Sequence, residues 1–503
     1  MTKSKFPPKR PDNSHIVINQ PKRNWSNFQK AIFKDIAQGG GHTVVIARAG
    51  SGKTSTIVEG FKYLPKGKKT LMVAFNKSIA DELKQRAPSY VDVMTLHSLG
   101  FRAIKQVYGN DVVLETDKPR LLVEGLTSNN REDWELNQSL CKCTSLCKGF
   151  LYDTPRDIDD IIDRFGIELF DMKREEFIKI VIKLMGLCKV QTKVIDFDDM
   201  IWFPFVHRLN VGKFDVVFVD EAQDLNAAQM AMVFSALRPT GRCIAVGDPA
   251  QSIYQFRGAD SEAIPNFINK LNAKTLPLSV TYRCPWRVVD LAKEIVSDIQ
   301  AVEGAPAGIV EDMLPEHLLG SVRKGDFVLS RTNAPLIKYC MAALKAGIPA
   351  NIQGRDVGSN LLYFIKKSKS KTIESFVKYV NEWREAEVRR LLAEKKNTEV
   401  AIDKAECLLN LCEGTLTIKD LKDLIEKLFS DVDDSAKVVF STTHKAKGLE
   451  RDRVFVLANT YRKGSGVQEE DNLWYVAVTR AKRELYLVRK ASKYAQYDDK
   501  PKD

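Results

Sequence analysis

The chain has 503 residues, enough for several domains with a sizeable core and too many for a minimal binding module. Lys and Arg number 77 against 65 acidic residues, a net charge of +12 spread along the chain, which favours a polyanionic partner, nucleic acid ahead of a membrane surface. No apolar run reaches the roughly 18 residues of a membrane-spanning helix, and the nine cysteines show no pairing pattern, so a membrane span and a disulfide framework are excluded and a reducing, intracellular compartment is expected.

Residues 1–23 carry Pro7, Pro8, Pro11 and Pro21 among scattered charges and read as a disordered basic arm. From residue 24 the pattern alternates: a helix over Phe28 to Ala37, strands over Thr43 to Ile46 and Thr70 to Phe75, and a helix over Lys77 to Gln85. This is the grammar of a parallel sheet covered by helices. Between the first strand and the helix after it lies Ala47-Arg48-Ala49-Gly50-Ser51-Gly52-Lys53-Thr54. That setting suits a loop that cradles phosphates and so predicts a nucleoside triphosphate site. Gly50 and Gly52 let the backbone N–H groups from Ala49 through Ser51 and beyond curl around oxygens, Lys53 adds charge at the outer phosphates, and Thr54 offers a hydroxyl to Mg²⁺. Ala47 stands where such loops usually have their first glycine.

Residues 100–193 lose the strand signal and read as a helical insertion. Strands resume at Phe214 to Val219 and Cys243 to Val246, and the first unit ends near Leu278. The first of these strands delivers Asp220 and Glu221 to its C-terminal end, where ligands of open α/β sheets bind. Asp220 suits Mg²⁺, and Glu221 suits accepting a proton from an attacking water. A second α/β unit follows, with strands over Asp326 to Ser330, Val438 to Ser441, Val454 to Leu457 and Leu485 to Val488. Charged helices over residues 361–434 interrupt it. The cysteines at 141, 143 and 147, with Cys188, lack the spacing of a zinc site and read as free thiols.

The runs Asp220-Glu221-Ala222-Gln223-Asp224 and Val246 to Ala259 resemble the UvrD/Rep/PcrA group of superfamily-one DNA helicases. The resemblance continues through Phe28-Gln29, Thr95 to Ser98, Asp196 to Asp199, Tyr282-Arg283, Thr443 to Glu450 and Tyr475 to Ala481, about nine tenths of the chain. Ala74 to Ala80 is worded like the F-box DNA helicases of that group. The resemblance implies an α/β fold of two RecA-like P-loop domains with parallel sheets, each interrupted by a helical insertion. Residues 24–99 with 194–278 form the first domain and 279–360 with 435–495 the second; 100–193 and 361–434 are the insertions, and 496–503 a tail. It implies ATP and Mg²⁺ as cofactors, with Gln29 reading the adenine edge, Tyr282 stacking on the base and Glu450 near the ribose. Gln251 would sense the γ-phosphate, and Arg283 and Arg480 would reach it from the second domain. For DNA, Thr95, His97, Ser98, Thr443 and His444 would meet phosphate and sugar, while Tyr254, Phe256 and Arg257 offer flat surfaces to unpaired bases.

The activity implied is ATP-dependent movement on single-stranded DNA, 3′ to 5′, at junctions with duplex, in replication, repair or recombination. The protein would be a monomer in the cytoplasm, at the nucleoid or in a nucleus, with no membrane partner. A translocase that strips proteins without opening duplex, or a nucleotide-gated DNA-binding scaffold, stays open on the residues alone. Phe256 and Arg257 follow Gln251 by only five and six residues, linking γ-phosphate to base. Phe256→Ala is expected to weaken single-strand binding roughly five- to a hundredfold in a titration, with an unchanged salt slope because stacking carries no charge. Intact DNA affinity in a protein that melts early would make the residue core instead.

Overall fold

The computed structural model describes residues 24–490 apart from 128–133, 171, 255–257, 259–261, 394–395 and 430–435. Two six-stranded sheets, all parallel in their pairings, organise it. In the first the spatial order is Val91–Thr95, Thr70–Ala74, Phe214–Val219, Leu237–Gly247, Thr43–Ala47 and Lys274–Leu278. Its inner strands are nearly continuous apolar runs because helices cover both faces; Thr70–Ala74 is buried at every position. Parallel pairing puts every C-terminal end on one edge. Val45 stands opposite Val246 and Phe218 opposite Ile244, so the loops after Ala47, Val219 and Gly247 emerge side by side.

The second sheet runs Ile309–Met313, Ala481–Val488, Arg451–Leu457, Phe327–Ser330, Val438–Thr442 and Ala350–Ile352. The expected strands are all present, and four more complete the sheets. Those four, Val91–Thr95, Lys274–Leu278, Ile309–Met313 and Ala350–Ile352, are the four sheet edges. Edge strands are short or polar by necessity: Lys274–Leu278 contains Pro277, and Ile309–Met313 carries Glu311 and Asp312. Three inner strands also begin earlier than their apolar text, at Leu237, Arg451 and Ala481. In the second sheet Arg453 makes this possible by pairing with Asp326 at 2.8 Å and Glu484 at 2.7 Å, so the polar start of the strands is satisfied.

In the first insertion the helices Trp134–Phe150, Pro155–Arg164 and Arg174–Val190 pack with Phe197–Val206 around Leu140, Ile161, Phe177, Leu184 and Phe203. A two-stranded pair, Val113–Leu114 with Val194–Ile195, closes a region whose sequence shows no strand signal. Lys118 and Lys148, each 1% exposed, reach Asp199 at 2.6 and 2.8 Å, and Lys148 also meets Asp196 at 2.8 Å. Such buried charges hold only as a set, since removing one partner typically costs about 3–5 kcal/mol. The free thiols expected at Cys141, Cys143, Cys147 and Cys188 are found, and burial raises the pKa of Cys141 and Cys188. Within residues 361–434, Phe376, Val380, Leu408 and Ile425 share one core with Val328, Val438 and Phe440 of the second sheet. These helices therefore form a covering layer on that sheet.

Helix Leu96–Tyr108 crosses Phe197–Val206 so closely that a Cβ on Gly100 would lie 1.8 Å from the Met200 carbonyl oxygen. Gly100→Ala is expected to destabilise the protein by about 1–3 kcal/mol or more, read as a lower urea midpoint. An unchanged midpoint would mean the two helices are not in contact there.

Candidate nucleotide and nucleic-acid site

The loop after strand Thr43–Ala47 takes positive φ at Gly50 (70°) and Gly52 (78°), and helix Lys53–Gly60 starts directly behind it. Gly50 is required twice over, by its φ and because a Cβ there would sit 2.5 Å from both Thr281 Oγ1 and Arg283 Cβ. The Ser51 hydroxyl is buried without a hydrogen-bond partner among the described residues, the condition of a group that awaits a ligand oxygen. At the flank, Gln29 Nε2 donates to Thr56 Oγ1 at 3.0 Å, and Tyr282 donates its phenol to Gln29 Oε1 at 3.1 Å. Tyr282 is 44% exposed, so its ring face is open, as a base-stacking role needs.

The two carboxylates after Val219 are treated differently by their surroundings. Glu221 takes a left-handed backbone (φ 50°), a strained conformation for a non-glycine residue that aims its carboxylate at Lys53, 2.9 Å away. Gln223 Nε2 donates to the same group at 2.6 Å. Burial opposes the Glu221 charge, but Lys53 and Lys447 outweigh it and bring its pKa down to about 2. Asp220 is pushed up to about 7, first by burial and then by the neighbouring Glu221 charge. Gln251 Nε2 donates to Asp248 Oδ2 at 2.8 Å, and Arg48 holds the other oxygen of Asp248 at 3.0 Å.

The facing wall comes from the second unit. Glu450 and Arg480 immediately precede the adjacent strands Arg451–Leu457 and Ala481–Val488, so the second sheet presents its N-terminal edge to the first sheet's C-terminal edge. Arg283 forms an ion pair with Glu450. Arg480 is 1% exposed; its Nε donates to the Val476 carbonyl at 2.9 Å and its Nη1 to the Leu449 carbonyl at 3.1 Å. Burial, with Arg283 alongside, brings its pKa down to about 9. Its guanidinium is held in the wall by carbonyls of its own unit. Between the walls lies a cavity of about 870 Å³ lined by Gly50 to Ser55, Asp220, Glu221, Gln251, Tyr282, Arg283, Glu450 and Arg480, within the size range of nucleotide-sized ligand sites. Thr54 and Asp220 line it together, and Asp220 accepts from the Glu221 N–H through one oxygen, so an acidic and a hydroxyl oxygen fit a hard cation there.

Several residues of this site escaped sequence reading. Lys447 crosses from the second unit to Asp224 at 2.6 Å and to the Gln251 carbonyl at 2.6 Å. Tyr475 accepts from the Ala49 N–H at 2.9 Å. Asp248 and Gln223 organise the first wall. All lie inside the runs that carried the family resemblance, but only the fold reveals which partner each one meets. A second cavity, about 890 Å³, lies between the first insertion and the second unit and contains none of these groups.

The residues expected to face DNA fall into two groups. Thr95, His97 and Ser98 follow strand Val91–Thr95, and Thr443 and His444 follow Val438–Thr442. Thr95 is buried and caps its helix by accepting from the Ser98 N–H at 3.2 Å, and the Thr443 hydroxyl is buried 2.5 Å from Tyr461. Both hydroxyls expected to be free for phosphate are therefore engaged in the protein. Ser98 is exposed, and His97 is half-buried edge-on to Phe197, with burial lowering its pKa. Tyr254 donates to the His444 carbonyl at 3.0 Å with Lys447 over its ring. Phe256 and Arg257 lie outside the described residues. Lys445 pairs with Asp356 at 2.8 Å.

The UvrD/REP helicase N-terminal domain model matches residues 28–272, and the UvrD-like helicase C-terminal domain model matches residues 366–492. F-box DNA helicase protein 1 of Schizosaccharomyces pombe is 26% identical over 88% of this chain and 55% of its own length. F-box DNA helicase 1 of Gallus gallus is 25% identical over 88% of this chain and 47% of its own. ATP-dependent DNA helicase PcrA of Bacillus subtilis is 26% identical over 51% of this chain and 38% of its own. The chain spans about half the length of these relatives, or less. With the N-terminal model on the phosphate-loop unit and the C-terminal model on the unit that closes over it, the chain belongs to the UvrD-like helicase family.

Proposed function

We propose that this chain is an ATP-dependent DNA helicase, a DNA-stimulated ATPase that moves 3′ to 5′ along single-stranded DNA and acts at junctions with duplex. The observation that carries this reading is the cleft itself, where the phosphate loop, Asp220, Glu221 and Gln251 of the first unit face Arg283, Glu450 and Arg480 of the second. Relatives named as ATP-dependent DNA helicases support it, as does the net charge of +12.

On this reading Lys53 exchanges its partner Glu221 for the outer phosphates of ATP. Glu221, already ionised, is then free to take a proton from water. Thr54 and Asp220 would hold Mg²⁺, which supplies charge neutralisation at the β- and γ-phosphates. Arg283 leaves Glu450 for the γ-phosphate, where a guanidinium meets oxygens as a fork. Gln251 responds to the γ-phosphate, and the segment behind it passes that state to bases stacked on Tyr254 and Phe256. Ser98, His97 and His444 contact the strand's backbone, joined by Thr95 and Thr443 as the cleft opens and closes, while Arg257 offers its flat guanidinium to the bases.

Lys53→Ala is expected to abolish hydrolysis, whereas Glu221→Gln should still bind ATP and remain on DNA without turnover. Nucleotide affinity and phosphate release measured for both check this, and parental turnover in either removes the assignment. Arg283→Ala should lower turnover by on the order of 10³-fold with ADP affinity nearly unchanged, since it acts on charge developing at the γ-phosphate. A loss below about tenfold would mean this arginine does not reach the reacting group. Strand displacement on duplexes with 3′, 5′ or no single-stranded tail tests the function itself. ATP-dependent opening of the 3′-tailed duplex alone is the expected result; hydrolysis and movement without opening of any duplex would favour a stripping translocase.

A further inference from the structure

We propose that the Tyr475 hydroxyl is a positioning residue for ATP hydrolysis: it registers the second unit against the phosphate loop and thereby sets where Gln251 and Arg480 stand. The inference rests on the function proposed above. It names a group that touches neither nucleotide nor DNA, and whose effect passes through its hydrogen bonds.

Helix Gln468–Val478 carries Tyr475 into an apolar cluster that includes Ala49 and Ala250 of the first unit and Cys284 and Val288 of the second. Apolar contact brings these surfaces together but is not directional, so it leaves the sliding distance between them open. The phenol supplies direction. Its oxygen accepts from the Ala49 N–H, part of the phosphate loop, at 2.9 Å, and its proton goes to Asp248 Oδ2 at 3.2 Å. A backbone N–H can only donate, so the phenol's roles are forced and both are used. Asp248, fully buried, also accepts from Gln251 Nε2 at 2.8 Å through the same oxygen. One hydroxyl thus joins the loop to the residue that holds Gln251.

The other end of the linkage is equally short. Thr479 Oγ1 donates to the Tyr475 carbonyl at 2.7 Å, and Arg480 Nε donates to the Val476 carbonyl at 2.9 Å. Phenol and guanidinium therefore move as one piece. Burial, with Asp248 alongside, raises the Tyr475 pKa well above its ordinary value, so the hydroxyl keeps its proton at working pH. A site whose parts come from two bodies depends on sub-ångström registration, and loss of it lowers turnover more than binding.

Tyr475→Phe keeps the ring and removes only the hydroxyl. With single-stranded DNA present, kcat is expected to fall by about tenfold or more, while the KM for ATP and the affinity for a fluorescent ADP analogue stay within about twofold. Asp248→Asn should lower kcat as well, and the double variant should fall by less than the product of the two single losses, because the two groups share one hydrogen bond beside the contacts each makes separately to Ala49 and to Arg48 and Gln251. Hydrogen exchange at the Ala49 amide, read without nucleotide, should be slow in the parent and fast in Tyr475→Phe. Unchanged kcat, losses that multiply in the double variant, or an Ala49 amide indifferent to the substitution would each overturn the proposal. If the parent shows no ATP turnover, the proposed function fails, and the amide measurement still decides whether the registration contact exists.

Discussion

Buried charge at the cleft is the constraint that the rest of this molecule accommodates. The first unit gathers Asp220, Glu221, Asp224 and Asp248 at one sheet edge, all but Glu221 under a tenth exposed, and supplies Lys53 and Arg48 against them. Taking carboxylates out of water is costly unless each finds a cation or a hydrogen bond. The shortfall is visible in Asp220, pushed up to about 7, and in Asp224, raised to about 6 by burial even with Lys447 beside it. Lys447 comes from the second unit. Lys447 therefore adds a cation to a surface whose carboxylates outnumber its own Lys53 and Arg48, and the two units are complementary in charge before any ligand is considered.

That arrangement also explains why the site has partners to exchange. Lys53 and Arg283 are held by carboxylates, Glu221 and Glu450, that a polyphosphate can displace. Arg480 is held by backbone carbonyls, a neutral grip on a guanidinium whose pKa burial brings down to about 9. A ligand carrying several negative charges would compete for Lys53 and Arg283 at once, while Arg480 keeps its carbonyl grip. Opening and closing are then a difference in pairing rather than a change of fold, which suits a cycle repeated many times.

Much of this was legible in the sequence because the inner strands and their loops are contiguous text. Asp220 and Glu221 follow an unbroken apolar run, and Gly50 to Thr54 sit between a strand and a helix, so position and chemistry were read together. Two of the four sheet edges hid behind their own chemistry: Pro277, Glu311 and Asp312 are what an edge needs, and the same residues erase a strand signal, while a third, Ala350–Ile352, is only three residues long. Nor could the sequence tell that Thr95 and Thr443 engage their hydroxyls in a helix cap and with Tyr461, since a threonine before a helix reads equally well as a cap or as a phosphate contact. Lys447 and Tyr475 escaped for a different reason. Their partners are more than two hundred residues away in the chain, and only folding brings Asp224 and Ala49 to them.

The central claim is that one cleft, completed by both units, hydrolyses ATP under the control of a single strand. Steady-state phosphate release by the full chain, measured with saturating ATP and Mg²⁺ and with or without an unstructured single-stranded oligonucleotide, tests it most directly. Slow turnover alone is expected, with a stimulation of at least about tenfold by the strand that is lost progressively as salt is raised because phosphate contacts release counterions. Turnover that is absent, or equal with and without DNA, would contradict it.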